Sequence, residues 1–252
     1  MDWERAAELL RIDLGNSAGS QVRESAADDP APLMVRPVPP SALAGHTAWI
    51  HAPKLASKSG GTPLPLIMVM HGAGKNRGWD LDSRVRSWAE LCEKHNVIVL
   101  YPEALDHTWD FITTRGSSRA DIDFIQEAIT SVCQHFSVDN KRIGVVGISD
   151  GGSMCLSLAT QNPTVFQAAM SSSAGFCVPP PPAAGASPML YVQHGSEDSM
   201  FPIEHVGMRV RDELKEAGYS VHFKVAEGQG HVPDGWGEEF IPAWLALSKS
   251  SL

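Results

Sequence analysis

The chain has 252 residues, 43% of them apolar and 19% charged, the balance of a globular protein long enough to bury one substantial core. A formal net charge of −9, with no local Lys/Arg cluster, repels phosphate backbones and argues against nucleic acid as a partner. No uncharged run reaches bilayer length, and the start Met1-Asp2-Trp3-Glu4-Arg5 is acidic where a secretory leader is basic and then apolar, so the expectation is a cytoplasmic protein without stable membrane insertion.

Residues 3–14 carry apolar positions at helical spacing and stop at Gly15-Asn16, which predicts a short helix. A Ser/Gly/Ala/Asp-rich linker then runs to about residue 32, leaving 33–252 as the main domain. Residues 33–38 and 46–52 read as two strands around a Pro-rich turn, an antiparallel hairpin at a sheet edge. From residue 64 apolar strands alternate with helices. Strands are predicted at 65–70, 97–101, up to Ile148, 166–170, 189–193 and 221–225, and helices at 81–95, 121–136, directly after Ser149, 204–217 and 235–249. Strands that are apolar throughout and separated by helices predict an α/β fold with a mostly parallel sheet covered on both faces.

Cys92, Cys133, Cys155 and Cys177 show no C-x-x-C spacing and sit in apolar segments, so they read as reduced core residues. Pro179-Pro180-Pro181-Pro182 reads as a stiff surface connector. Residues 171–188, mostly Ser, Pro, Ala and Gly, leave no room for a helical cap between the strands they join, and an open site is expected.

The segment Gly147-Ile148-Ser149-Asp150-Gly151-Gly152 lies between a predicted buried strand and a helix. Glycines there permit a sharp turn that pushes the Ser149 hydroxyl out at the carboxyl end of the sheet, where ligands of parallel sheets gather. A serine nucleophile needs a base and a group that orients the base. The chain order Ser, acid, His expected of this arrangement is met by Asp198, in His194-Gly195-Ser196-Glu197-Asp198, and by His231, in Gly230-His231-Val232-Pro233. Glu197 is a rival acid, Asp198 could instead cap the helix that follows, and His194 is read as packing behind the acid loop. The oxyanion of an acyl-transfer intermediate needs preorganised N–H donors. Candidates are the backbone of Asp150 and, in the loop His71-Gly72-Ala73-Gly74, that of Ala73. Trp109 is a candidate wall of the substrate pocket and equally a core residue, while Asp110 and Arg115 either pair or meet a charged substrate group.

These blocks, with Thr108-Trp109-Asp110 and Asp121-Ile122-Asp123-Phe124-Ile125, resemble the α/β-hydrolase superfamily over roughly residues 64–247, and within it the small phospholipase/carboxylesterase type of serine esterase. Polyhydroxyalkanoate depolymerase-like and feruloyl-esterase-like proteins share several of them. The resemblance implies an α/β-hydrolase domain over 33–252 that hydrolyses small-molecule or lipid carboxylic esters through an acyl-serine intermediate. It implies Ser149 as nucleophile, His231 as general base and then acid, Asp198 as orienting carboxylate, and neither metal nor organic cofactor. A thioesterase or deacylase using the same triad is the alternative, and a hydrolase-fold binding protein without turnover is a further one.

Overall fold

The strand segments that the sequence marks as apolar throughout are buried on both faces in the computed structural model, which describes residues 10–14, 20–23, 33–37, 43–56, 61–74, 88–91, 93–178 and 187–247. The chain gathers into two units, one formed by Ile12–Val69 and Gly74–Asn140, the other by Met1–Arg11, Met70–Ala73 and Lys141–Leu252.

In the first unit, β1 (Ser20–Arg23), β2 (Leu33–Pro37) and β3 (Thr47–His51) pair antiparallel in sequence. The hairpin expected from the sequence is therefore present but not at the sheet edge, because a further strand, β1, lies within the stretch read as linker and pairs outside β2. β3 also pairs antiparallel with β5 (Ile98–Glu103), with Ile50 opposite Leu100, and β5 pairs parallel with β4 (Leu64–Met70), with Val99 opposite Ile67. Helical residues 88–91 and 93–95 precede β5. After it come a short helix, α1 (Asp110–Thr113), and the longer α2 (Ala120–His135). In α2 the residues Ile122, Ile125, Ala128, Ile129 and Val132 are buried, the i, i+3, i+4 stripe of an amphipathic helix.

Asp121 ties this unit together from the first turn of α2. Its Oδ1 lies 2.9 Å from His46 Nε2 and accepts the N–H of Leu105 at 3.0 Å, while Oδ2 accepts the N–H of Asp110 at 2.6 Å. Burial opposes the charge on Asp121, but the hydrogen bonds from His46 and from the Asp110 and Leu105 backbone outweigh it and hold the carboxyl below its ordinary range. Burial likewise opposes a charge on His46, and Asp121 with the Leu43 carbonyl outweighs it, raising the imidazole.

In the second unit, β6 (Val138–Ile148, its first residues in the other unit), β7 (Ala168–Ser172), β8 (Met189–Gly195) and β9 (Val221–Ala226) run parallel in sequence order. Three helices connect or follow them: α3 (Asp150–Gln161), α4 (Gly207–Glu216) and α5 (Trp236–Leu247). Helix α3 is buried on every side from Gly151 to Gln161. Its hydroxyls satisfy themselves on the preceding turn, Ser157 donating to the Ser153 carbonyl at 2.7 Å and Thr160 to that of Leu156 at 2.8 Å. Helix α5 comes close to β6 because Gly144 has no side chain: a Cβ there would stand 3.3 Å from the Trp244 ring, which stacks on Phe240.

Two element starts lie two or more residues later than the sequence pattern places them, each for a local reason. Phe166 is apolar and fully buried, yet its N–H closes the turn after α3 onto the Asn162 carbonyl, so β7 starts only at Ala168. Residues 202–206 form a turn on the Pro202 carbonyl, so α4 starts at Gly207. Residues 10–14, the end of the helix expected over 3–14, are not helical, and the Leu10 carbonyl accepts from Asn162 Nδ2 instead; the expectations for residues 3–9, 81–87, Cys92, Pro179 to Pro182 and 248–249 lie outside the described residues. Among the described residues no helix is long and apolar enough to cross a membrane.

Candidate active site

The carboxyl end of β6 turns into α3 at Ser149, whose backbone takes φ 54° and ψ −120°. That left-handed φ is unusual for a residue with a Cβ and is held by surrounding packing. Added Cβ atoms would meet the Gly151 carbonyl oxygen at 2.1 Å from Gly147, and the Met70 and His71 carbonyl oxygens at 2.3 and 2.4 Å from Gly151. Gly152 is similarly closed in, by Ser171 Oγ and the Ser172 carbonyl, both at 2.8 Å. The glycines therefore let three strands of backbone meet around the serine. Ser149 N–H donates to the Ser172 carbonyl at 2.9 Å, and its own carbonyl accepts the first helical bond, from Ser153 N–H. Its hydroxyl makes no capping bond to the helix, which leaves it available to a different partner.

That partner is His231. Ser149 Oγ lies 3.0 Å from His231 Nε2, and His231 Nδ1 lies 2.8 Å from Asp198 Oδ2. With the carboxylate accepting from Nδ1–H, Nε2 is the acceptor for the serine hydroxyl, so the proton path runs one way. The two loops that carry the acid and the histidine are fastened to each other by backbone bonds. Ser196 N–H donates to the Ala226 carbonyl at 3.0 Å and Glu197 N–H to that of Gln229 at 2.9 Å, while the Ser196 hydroxyl accepts the Gly228 N–H. A Cβ on Gly195 would fall 2.1 Å from the Gly230 carbonyl oxygen, so the loops touch through bare backbone. Gln193 Nε2 donates to the Asp234 carbonyl just past the histidine.

Asp198 has a fully buried side chain; it does not cap the following helix, which starts only at Gly207, but it caps the turn 198–201 and faces His231. Oδ1 accepts the N–H groups of Met200 and Phe201 at 2.9 and 2.8 Å, capping the turn that follows, and Oδ2 faces His231. Burial pushes its carboxyl up, but the Phe201 N–H and the His231 imidazole prevail and hold it below the ordinary carboxylate range. The neighbouring Glu197 is exposed. His194 does pack behind the acid loop and is completely buried. The Phe201 ring meets the His231 ring edge to face at 5.0 Å, a support that the sequence alone did not single out; its only signal was an aromatic residue three positions past the acid.

Asp150 opens α3, so its N–H lies in the first turn of that helix. Ala73 is exposed and lies two residues past His71, whose carbonyl rests with that of Met70 against Gly151, so the Ser149 turn and the 70–73 loop are packed as one piece. Both candidate oxyanion donors thus belong to the unit that holds Ser149, Asp198 and His231.

Trp109 lies in the other unit, fully buried, and its carbonyl accepts the N–H groups of Ile112 and Thr113 at the start of α1. Asp110 accepts from the Ser118 hydroxyl and from the Ala120 N–H, not from Arg115. Among the described residues no group of three or more His, Cys, Asp or Glu side chains is placed to hold a metal ion.

Comparison with known proteins points the same way. The Esterase family model, described as "Putative esterase", matches residues 46–246. A poly(3-hydroxybutyrate) depolymerase from Ralstonia pickettii is 24% identical over 144 residues, 52% of this chain and 28% of that protein. The chain spans less than half the length of the curated relatives it matches. An S-formylglutathione hydrolase from Agrobacterium tumefaciens superposes with a TM-score of 0.62 at 13% identity, over 91% of this chain and 99% of the other. An acetyl xylan esterase from Aspergillus awamori does so with a TM-score of 0.63 at 14% identity, over 90% and 99%. These likenesses establish the α/β-hydrolase fold.

Proposed function

Because the chain belongs to the esterase family, we propose that it is a serine esterase in which Ser149, His231 and Asp198 form the catalytic triad. The observation that carries this reading is the hydrogen-bonded line from Ser149 Oγ through His231 to Asp198, built on a serine whose backbone is held at positive φ. In the reaction, His231 Nε2 takes the Ser149 proton as Oγ attacks the ester carbonyl, and returns it to the departing alkoxide. The N–H groups of Asp150 and Ala73 receive the oxyanion. Water, deprotonated by the same imidazole, then releases the acid from the acyl-serine. Asp198 stays ionised throughout and stabilises the imidazolium, a role suited to a carboxyl held below its ordinary range.

The leaving alcohol must lie on the His231 side, where that imidazole can protonate it. Val232, which follows His231 in the chain, and Met200, which precedes the Phe201 packed against that ring, are both exposed. An ester with an apolar alcohol portion suits this edge, since apolar contact removes both substrate and protein surface from water. The same triad cleaves thioesters, and the likeness to an S-formylglutathione hydrolase makes that the second reading.

Hydrolysis of p-nitrophenyl esters from acetate to palmitate, by wild type and Ser149→Ala together, tests the proposal. The variant is expected to lose about 10⁴- to 10⁶-fold in kcat, by analogy with other serine hydrolases. Turnover that survives the substitution would sink Ser149 as nucleophile. A matched panel of oxygen and thiol esters decides between the two readings.

A further inference from the structure

A second imidazole reaches the proposed triad acid. His194, on β8 four residues before Asp198, is 0% exposed. Its Nε2 lies 2.7 Å from the Phe201 carbonyl oxygen and 3.2 Å from Asp198 Oδ2. Both neighbours of that nitrogen are acceptors, so the ring proton sits on Nε2, which donates to the Phe201 carbonyl with the carboxylate alongside. Nδ1, on the other side of the ring, is buried without a partner among the described residues. The ring cannot withdraw on that side. A Cβ on Gly207, at the start of α4, would fall 2.7 Å from His194 Cγ and Nδ1, so bare helix backbone lies flush against it.

From this we infer that His194 is a positioning residue for the acid, an assignment that rests on the triad reading above. Its Nε2–H fastens the Phe201 carbonyl, while Asp198 Oδ1 fastens the N–H groups of Met200 and Phe201. The turn 198–201 is thereby closed from both sides, and Asp198 is left with one orientation, in which Oδ2 faces His231 Nδ1. Phe201, held by the same bonds, packs its ring edge to face with that of His231. An orphaned ring nitrogen inside the protein is costly, so any stabilisation the ring contributes here comes through the other nitrogen.

The test is kinetic, with His194→Phe and His194→Gln assayed beside wild type and Ser149→Ala. Phenylalanine keeps a ring but removes the N–H; the glutamine amide carries an N–H at a similar reach. His194→Phe is expected to lower kcat by about 10²-fold with KM unchanged, the scale of a misplaced catalytic group. His194→Gln should recover most of that loss. The low-field proton resonance of His231 Nδ1–H should be retained in the glutamine variant and move upfield in the phenylalanine variant, a change that general loosening of the fold does not predict.

A folded His194→Phe with wild-type kcat, or a glutamine variant as impaired as the phenylalanine one, overturns the inference while leaving the triad standing. Activity that survives in Ser149→Ala overturns the triad reading and this one with it. If His194→Phe does not fold, Gly207→Ala decides. It removes no polar group and displaces the ring, so kcat should fall, and an unchanged kcat overturns the inference.

Discussion

At the scale of single residues, the site depends on places where a side chain is missing as much as on those where one is present. Gly147 and Gly151 are needed because a Cβ would run into backbone oxygen, which cannot swing aside as a side chain can. Gly151→Ala should therefore destabilise the protein by roughly 1–3 kcal/mol, in the range of overpacked cores, and reduce turnover further by shifting Ser149. Gly228, where a Cβ meets nothing within 4 Å, is the control, with only its φ of +69° to disfavour alanine. Chemical denaturation of the two variants measures the difference. Asp198 makes a prediction in pH. Its folded carboxyl lies below the ordinary value, so its stabilisation is present above the unfolded carboxylate range and is lost as pH falls through the folded value. The stability gap between wild type and Asp198→Asn should accordingly narrow on acidification below about pH 4, near where unfolded Asp titrates, and a gap that widens there would contradict this assignment.

At the scale of elements, each unit has a polar or aromatic fastening that hydrophobic periodicity does not announce. In the first unit it is the buried His46 and Asp121 pair, which joins the loop before β3 to the start of α2. Because the folded His46 imidazole is raised, its contribution is fully present below the ordinary histidine range and fades as pH rises through the folded value. Thermal unfolding of His46→Gln should thus fall furthest behind wild type below about pH 6.5 and approach it in alkali. In the second unit the fastening is Trp244, 2% exposed, filling the space over Gly144. Trp244→Ala should cost about 3–5 kcal/mol, the usual range for emptying a large aromatic from a core. Urea denaturation gives the value.

At the scale of the whole molecule, two thiols belong to the core, whereas Cys133, expected there as well, is only half-buried near the end of α2. Cys155 and Cys177 are free and buried, and burial pushes the Cys177 thiol up to about 12 and that of Cys155 well above its ordinary value. In a Cys92→Ser, Cys133→Ser background the native protein should leave a thiol-reactive dye uncoloured until denaturant is added. Fast labelling under native conditions would mean that the core around α3 opens readily. The family assignment works at this scale too. It covers 46–246, and so takes in every residue proposed for the site, from Ala73 to His231.

By itself the sequence determined the alternation of strands and helices, the strand-to-helix turn at Ser149 and the chain order of serine, acid and histidine. The first two are local, written in a spacing of apolar residues or in glycines next to a serine. Less was legible where the decisive contact joins distant parts of the chain. Apolar content alone placed Phe166 in a strand, because a buried turn residue and a buried strand residue are equally apolar. The residues at 20–23 carry too little apolar alternation to declare a strand and gain their pairing from β2. Only the tertiary structure decided that Asp198 both caps its turn and faces His231, that His194 lies against the same carboxylate, and that Trp109 is wholly enclosed. The physical reason is that a hydrogen bond between residues 33 or 82 positions apart, as from His231 to Asp198 and to Ser149, leaves no periodic trace in the chain. It exists only once the strands have brought their loops to one edge.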